Sequence, residues 1–549
     1  MFKSSNISRV LPAIAIAVAF VAVLYALPAD QTDAAPTSGT CGDGVEWNFD
    51  SSSATLTVSY TGSGTGKMTN YSDKQLPDYA YLLESINSIV VGEGVTYIGT
   101  NAFEGLHATT ITLSSTVEEI GKHSIKNTDI TALDLKNVVT IGEGALYSCK
   151  DLTSIVIPST VKTIGDYAFD LCISLTAVDT SGATSLVSIG RSAFVATPIS
   201  SFYIPATVTS LGIGLFVECY SLPAIDVDPA NTKYVDVDGV VYDTDMKTVL
   251  LYPPARACDS YEIPDTVTSL AEAAFASGYK IGAVTIPDTI TVISDAAFQK
   301  CTALKTIKIP KTVTSIGGYA FASCEGIESI DFSGTTVLKS IGNGAFLDNI
   351  KLKTVEIPAC VSSIGERAFA ACSILESITI DSSNPNYVTV DGVLYDKKME
   401  TLLQFPGGCK MTSFTVPSTV KTIVVNAFSN VTVLTELIIP DSVTTIASGT
   451  TTTPSYSTSP LVKMSIGNGL TTLGENPFID HDFFDKDGKK LEQTVNNLKG
   501  HTFVGENAHN MILDDSASSK GGFPIWAIVV IVIVVLVAIV GIVMWKRSR

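Results

Sequence analysis

From residue 155 the chain reads Ile155-Val156-Ile157-Pro158, then Thr160-Val161, Ile164-Gly165, Ala168-Phe169 and Cys172. Apolar residues two apart put both isoleucines on one face of a strand and the residue between them on the other. Proline has no N–H to give a ladder and ends the strand. Ile-Gly reads as a turn in which glycine permits positive φ, and Ala-Phe as one helical or near-helical turn whose ring points inward. The phrase returns as Ile307-Lys308-Ile309-Pro310 through Cys324, and again from Val355 to Cys372. The phenylalanines that mark it stand at 169, 194, 216, 275, 298, 321, 346, 369 and 428. They are about 23 residues apart except for two steps of 59, and that period means a solenoid. One repeat cannot bury its apolar face alone, so neighbours must stack.

Each long step holds an insertion, near 226–260 and 381–412. The first carries Tyr234, Asp238-Gly239, Val240-Val241-Tyr242 and Leu250-Leu251-Tyr252-Pro253; the second carries Tyr387, Asp391-Gly392, Val393-Leu394-Tyr395 and Leu402-Leu403-Gln404-Phe405-Pro406. Asp-Gly between β-rich runs predicts a hairpin, so each insertion is expected to leave the solenoid as a small β-hairpin unit and rejoin it. Phe216 to Phe369 and Phe275 to Phe428 both span 153 residues, the mark of a duplicated multi-repeat block. Ahead of the array, 36–88 includes Trp47-Asn48-Phe49 and Thr55-Leu56-Thr57-Val58 and reads as a β-rich N-terminal cap.

The motif L-x-x-I-x-I-P-x-x-V-x-x-I-G-x-x-A-F-x-x-C, matched at nearly every position by Leu152 to Cys172, resembles that of the BspA-like leucine-rich repeat family, also called the Treponema pallidum type. The resemblance covers roughly 89–478. The fold expected is α/β: a leucine-rich-repeat solenoid with a parallel β-sheet on one face and short strands and helical turns on the other. The family resemblance implies surface display and adhesion to host proteins or to other cells.

Two apolar runs stand near the ends. Lys3 and Arg9 precede Val10 to Leu27, with small and polar residues after it. That order predicts a secretory signal over 1–34, cleaved near Ala34 or Ala35, or an anchor if it stays uncleaved. Ile525 to Trp545 carries no charge, and as an α-helix it would reach about 31 Å, near the hydrocarbon thickness of a bilayer. Trp526 and Trp545 stand at its rims, and Lys546, Arg547 and Arg549 follow. One transmembrane helix is therefore expected at 525–545, with a cytoplasmic tail at 546–549, a juxtamembrane segment at 479–520 and the repeats outside.

The formal charge of −19, from 35 basic and 54 acidic residues, argues against a nucleic-acid partner, which needs a basic stripe. Ten cysteines in an exported chain raise the question of disulfides. Six of them, Cys149, Cys172, Cys219, Cys301, Cys324 and Cys372, share one place, three residues after the Phe or its equivalent. A fixed place in a repeat suits a small buried thiol, so free thiols are expected there; bridges between Cys149 and Cys172 or Cys301 and Cys324 are the alternative. The chain has no C-x-x-C pair, and His107, His123, His481, His501 and His509 lack the spacing of a triad or metal motif. His481, between Asp480 and Asp482, reads as part of an exposed loop. Asp485-Lys486-Asp487-Gly488 reads as a hairpin turn between Phe483-Phe484 and Leu491. No catalytic residue, cofactor or metal is expected. Asn70-Tyr71-Ser72 and Asn430-Val431-Thr432 are glycosylation sequons.

The candidate site is then a surface. The outward strand residues Tyr203, Glu262, Thr285, Lys308, Asp331, Glu356, Thr379 and Thr415 are expected to form one row at roughly 4.8 Å per rung. Mixed hydroxyls and charges suit an extracellular protein or glycan ligand, with Tyr234 and Tyr387 as exposed aromatics beside the row. The function expected is adhesion by a non-catalytic, membrane-anchored surface protein. The alternative is a structural cell-envelope element, a spacer or lattice unit.

Overall fold

The computed structural model describes residues 36–72, 76–449, 451–452, 460–479 and 481–514; the signal at 1–34, the span at 525–545 and the tail at 546–549 lie outside them. Among the described residues no helix is long and apolar enough to cross a membrane.

One coil shows how the repeat folds. Strand Ser154–Val156 buries Ile155 and leaves Val156 62% exposed. The Pro158 carbonyl accepts the Val161 N–H at 3.1 Å and turns the chain into the short strand Thr163–Ile164. Ala168 and Phe169, both fully buried, make the third side, and Cys172 and Leu175 lead into the next coil. Stacked coils thus form three ladders round an apolar interior. The first consists of parallel pairs, such as Thr306–Lys308 with Ser329–Asp331 and Thr354–Ile357 with Ser377–Ile380. The second is more continuous, running through Thr140–Ile141, Thr163–Ile164, Ser188–Ile189 and Ser210–Leu211.

The third side departs from the expectation of helical turns. The helices among the described residues are Ala80–Leu82, Val495–Leu498 and Ala508–Asn510, none of them in an Ala-Phe segment. Instead Tyr319 and Ser323, which flank Ala320-Phe321, both take left-handed φ of 55°. Alternating hands aim successive N–H groups the same way. Phe321 N–H therefore donates to Ala345 O of the next coil, at 2.8 Å, and not along a helix. Each left-handed residue costs about 1–2 kcal/mol. The inter-coil bonds offset this, as does ring stacking: Phe298 and Phe346 lie 5.2 and 5.3 Å from Phe321 and nearly parallel to it. The described residues form a β-solenoid, nearly all strand and turn, and not the α/β fold expected.

The glycine after Ile also works differently from the turn reading. Gly165 does not take positive φ; a Cβ there would stand 2.6 Å from Gly142 C and 2.7 Å from Glu143 N in the adjoining coil. Glycine is required at this corner because two backbones meet.

Both insertions are built into the solenoid. In the first, Tyr234–Val237 and Val240–Asp243 form a hairpin around Asp238-Gly239; Thr248–Leu251 pairs back on it and joins the second ladder beside Ser269–Leu270. The second repeats this with Tyr387–Val390, Val393–Asp396, Thr401–Gln404 and Thr422–Ile423. The middle strands do not leave the body, contrary to the hairpin reading. Val241 packs into the core that precedes it, Val240 and Tyr242 into the core that follows. Leu394 likewise faces back, and Val393 and Tyr395 face forward. Each middle strand is a wall with two dry faces, which is why its sequence is apolar without alternation. The walls divide the interior into three cores.

The ends are covered by strands. Ser38–Asp43, Val45–Asp50 and Thr55–Tyr60 form an antiparallel meander; the last pairs with Ser88–Val91 of the first ladder. At the other end Thr502–Val504 runs antiparallel to Lys463–Ile466, and Phe483–Phe484 pairs with Lys490–Leu491 in the hairpin read from the sequence. Residues of the expected juxtamembrane segment are thus folded onto the last coil.

Candidate binding surface

On the first ladder the residue between two inward-facing ones is turned toward solvent. Glu262, Thr285, Lys308, Asp331, Glu356, Thr379 and Thr415 are all exposed. Neighbours meet in register: Glu262 with Thr285, Lys308 with Asp331, and Glu356 with Thr379. Tyr203 is half-buried, and its hydroxyl donates to Asp228 Oδ2 at 2.6 Å. That bond raises the tyrosine pKa and holds the Asp228 carboxyl below its usual range. Hydrogen bonds from Ser333 keep the Asp331 carboxyl low as well, with help from the Lys308 charge. The eight positions do not form one unbroken row. They fall on separate sheets, most of them two-stranded, and insertion strands come between Tyr203 and Glu262 and between Thr379 and Thr415.

Further residues hold the same place and were missed. Val156 and Asp179 are register partners, and Asp226 is the partner of Tyr203. The signal for Val156 was the motif itself, since it stands between Ile155 and Ile157.

Tyr234 and Tyr387 are not exposed anchors. Both are half-buried; the Tyr234 hydroxyl donates to Thr209 O at 3.0 Å, and the Tyr387 hydroxyl accepts the Ile364 N–H at 2.9 Å. They serve the second ladder, beside its last strands before each insertion, Ser210–Leu211 and Ser363–Ile364. His481 is not in an exposed loop either: it is buried, with its ring near those of Phe478 and Phe483. Asp480 lies outside the described residues. Among the described residues no three His, Cys, Asp or Glu side chains gather as a metal-holding group.

The six repeated cysteines are buried, and all ten cysteines carry free thiols. Their sulfurs lie 3.0–3.3 Å from the carbonyl oxygens of Ile125, Leu146, Phe194, Phe275, Phe298 and Phe346, one coil back. At the same place in other coils, Thr197 Oγ1 donates to Phe194 O at 2.7 Å and Asn349 Nδ2 to Phe321 O at 3.0 Å. The position selects a small buried donor, and cysteine is one solution. Burial pushes the Cys149 thiol up to about 11 and those of Cys219 and Cys372 up to about 12, which leaves them unreactive.

The chain matches the family described as BspA type leucine rich repeat region over 74–184, 139–251, 268–389 and 404–520. It is similar to a solved leucine-rich repeat protein from Eubacterium ventriosum at 22% identity, covering 81% of this chain and 95% of that one, with a TM-score of 0.49. A leucine rich cell surface protein from Faecalibacterium prausnitzii is 23% identical over 74% of this chain and 95% of its own, with a TM-score of 0.47. The pneumococcal vaccine antigen PcpA is 20% identical over 74% and 94%, with a TM-score of 0.41. No curated protein matches the chain.

Proposed function

Because the chain belongs to the BspA-type leucine-rich repeat family, we propose that it is a membrane-anchored cell-surface protein whose first-ladder face binds an extracellular protein or glycan without catalysis. The observation that carries this reading is the placement of exposed side chains on locked strands. Lys308 and Glu356 project to solvent while Ile307 and Val355 beside them are buried. Side chains on a backbone already ordered lose less freedom on binding than loop residues do. The uncharged run Ile525 to Trp545, followed at once by Lys546 and Arg547, supports the anchor and the outward orientation of the repeats.

Two experiments test this. Protease added to intact cells should remove the bulk of the chain and spare a tag placed after Arg549; the opposite result reverses the orientation. A pull-down with residues 36–520 should recover a ligand. Assembly of that piece into ordered arrays, with no ligand retained, would favour the structural role.

A further inference from the structure

We infer that the first-ladder face pairs with a second copy of this chain, in antiparallel fashion, through charges on two adjacent coils. This deepens the binding function proposed above and rests on it. Lys305 and Lys308 lie on one coil, Glu328 and Asp331 on the next, and all four are exposed. The coils are joined directly: Glu328 N–H donates to Lys305 O at 2.8 Å, and Lys308 is in register with Asp331.

Elsewhere, lysines and glutamates one coil apart close ion pairs. Lys122 reaches Glu143 at 2.8 Å, Lys421 reaches Glu400 at 2.6 Å, and Lys463 reaches Glu436 at 2.7 Å. Lysine 311, on the same coil as Lys308, is taken by Asp288 at 3.0 Å. Among the described residues Lys305, Lys308, Glu328 and Asp331 close no such pair. Asp331 is also fixed as a carboxylate whose Oδ1 accepts the Ser333 N–H at 2.7 Å.

The symmetry of this patch selects the partner. A chain of charge −19 repels its own copies, but here two cations and two anions balance. A twofold axis parallel to the strands, midway between Thr306–Lys308 and Ser329–Asp331, lays each lysine pair over the acidic pair of the other copy. It also lays Glu356 over Thr285, so no like charges meet on the flanking coils. An axis along the solenoid would set lysine on lysine. The arrangement is isologous, as twofold interfaces are. It puts the two C-terminal ends at opposite ends of the pair, as suits copies anchored in two facing membranes. The patch is small and its ion pairs exposed, so single contacts are weak and transient; many copies on each surface supply the strength.

The test uses full-length protein in vesicles of neutral lipid, with clustering followed by light scattering. Wild-type vesicles should cluster, and clustering should fall steeply between about 0.05 and 0.5 M salt. The double variants Lys305→Glu/Lys308→Glu and Glu328→Lys/Asp331→Lys should each cluster at least about tenfold more slowly. Mixing vesicles that carry the two double variants, or making the fourfold exchange in one chain, should restore clustering. Equal thermal melts exclude misfolding as the cause. Absence of clustering, or clustering indifferent to these exchanges, overturns the second-copy inference. If a foreign ligand is still recovered in the pull-down, the binding function stands without it.

Discussion

Asn231 and Asn384, 153 residues apart, make the same buried hydrogen bonds at the mouths of the two insertions. Asn231 Nδ2 donates to Pro205 O at 2.8 Å and Val208 O at 3.0 Å, and its Oδ1 accepts the N–H groups of Lys233 and Tyr234. Asn384 Nδ2 donates to Val361 O at 2.8 Å, and its Oδ1 accepts from Asn386 and Tyr387. The chain leaves the first ladder here, and one side chain satisfies carbonyls and N–H groups that no strand continues. Asn231→Ala or Asn384→Ala should destabilise by about 2–4 kcal/mol, since several buried main-chain groups lose their partner at once. Urea unfolding measures this; a loss within about 0.5 kcal/mol would mean that water replaces the amide.

The ladder faces make a second prediction. Phe321 is fully buried between two parallel rings, so Phe321→Ala should cost about 3–5 kcal/mol. Lys308→Ala should change stability by no more than about 0.5 kcal/mol. Equal effects from the two changes would show the faces to be misassigned.

These two residues also mark what was readable in the sequence. Strict alternation about Lys308 separates inside from outside, because a strand's period is two. The turn side was not legible. Tyr319 and Ser323 take left-handed φ without the glycine that usually signals it, because the inter-coil bonds hold them there and no local preference does. The insertions were legible in length and register but not in depth. Val240-Val241-Tyr242 lacks alternation and so announced a strand buried on both faces, a signal that the Asp-Gly turn overshadowed. Tyr234 looked like an exposed anchor because nothing local to it shows that Thr209 O lies within its reach.

Glycine supplies a third prediction. A Cβ at Gly165 would meet backbone atoms at 2.6–2.8 Å, while one at Gly182 would meet nothing within 4 Å. Gly165→Ala should therefore cost about 1–3 kcal/mol as coils are forced apart. Gly182→Ala should be neutral or stabilising by up to about 1 kcal/mol, through the unfolded chain. Thermal melts of the two variants decide between close approach and turn flexibility.

The repeated thiols give a pH dependence. Folding raises Cys149 to about 11 and Cys219 and Cys372 to about 12, from an ordinary value of 9.0. Above pH 9 the unfolded chain releases these protons while the folded chain keeps them, so the unfolded state binds fewer protons and stability falls as pH rises. The contribution is whole below pH 9 and is lost between about 9 and 12. Urea midpoints should decline across that window, and less so in a Cys149→Ser/Cys219→Ser/Cys372→Ser variant. Native alkylation at pH 8 should mark the half-exposed Cys258 and Cys360 ahead of these buried three. A flat midpoint, or early labelling of Cys219, would contradict the ladder placement.

The last prediction locates the ligand. The first-ladder face displays side chains whose neighbours are locked in the core, while the Ala-Phe side is committed to inter-coil bonds and stacking and has little freedom to vary. Tyr203 is left out of the binding set because Asp228 already holds its hydroxyl. Replacing Glu262, Lys308, Glu356 and Thr379 together by Ala removes four exposed residues spread over three strand pairs, without touching the core. A control set of Glu119, Thr268, Thr291 and Thr314 is equally exposed but belongs to the second ladder or its approach. For any ligand recovered by the pull-down, the first set should weaken binding at least tenfold, about 1.4 kcal/mol, with the melt unchanged. The control set should leave binding within about twofold. Loss through the control set alone would move the site to the second ladder, where Tyr234 and Tyr387 end the strands, and would make the charge pattern of the first a matter of solubility.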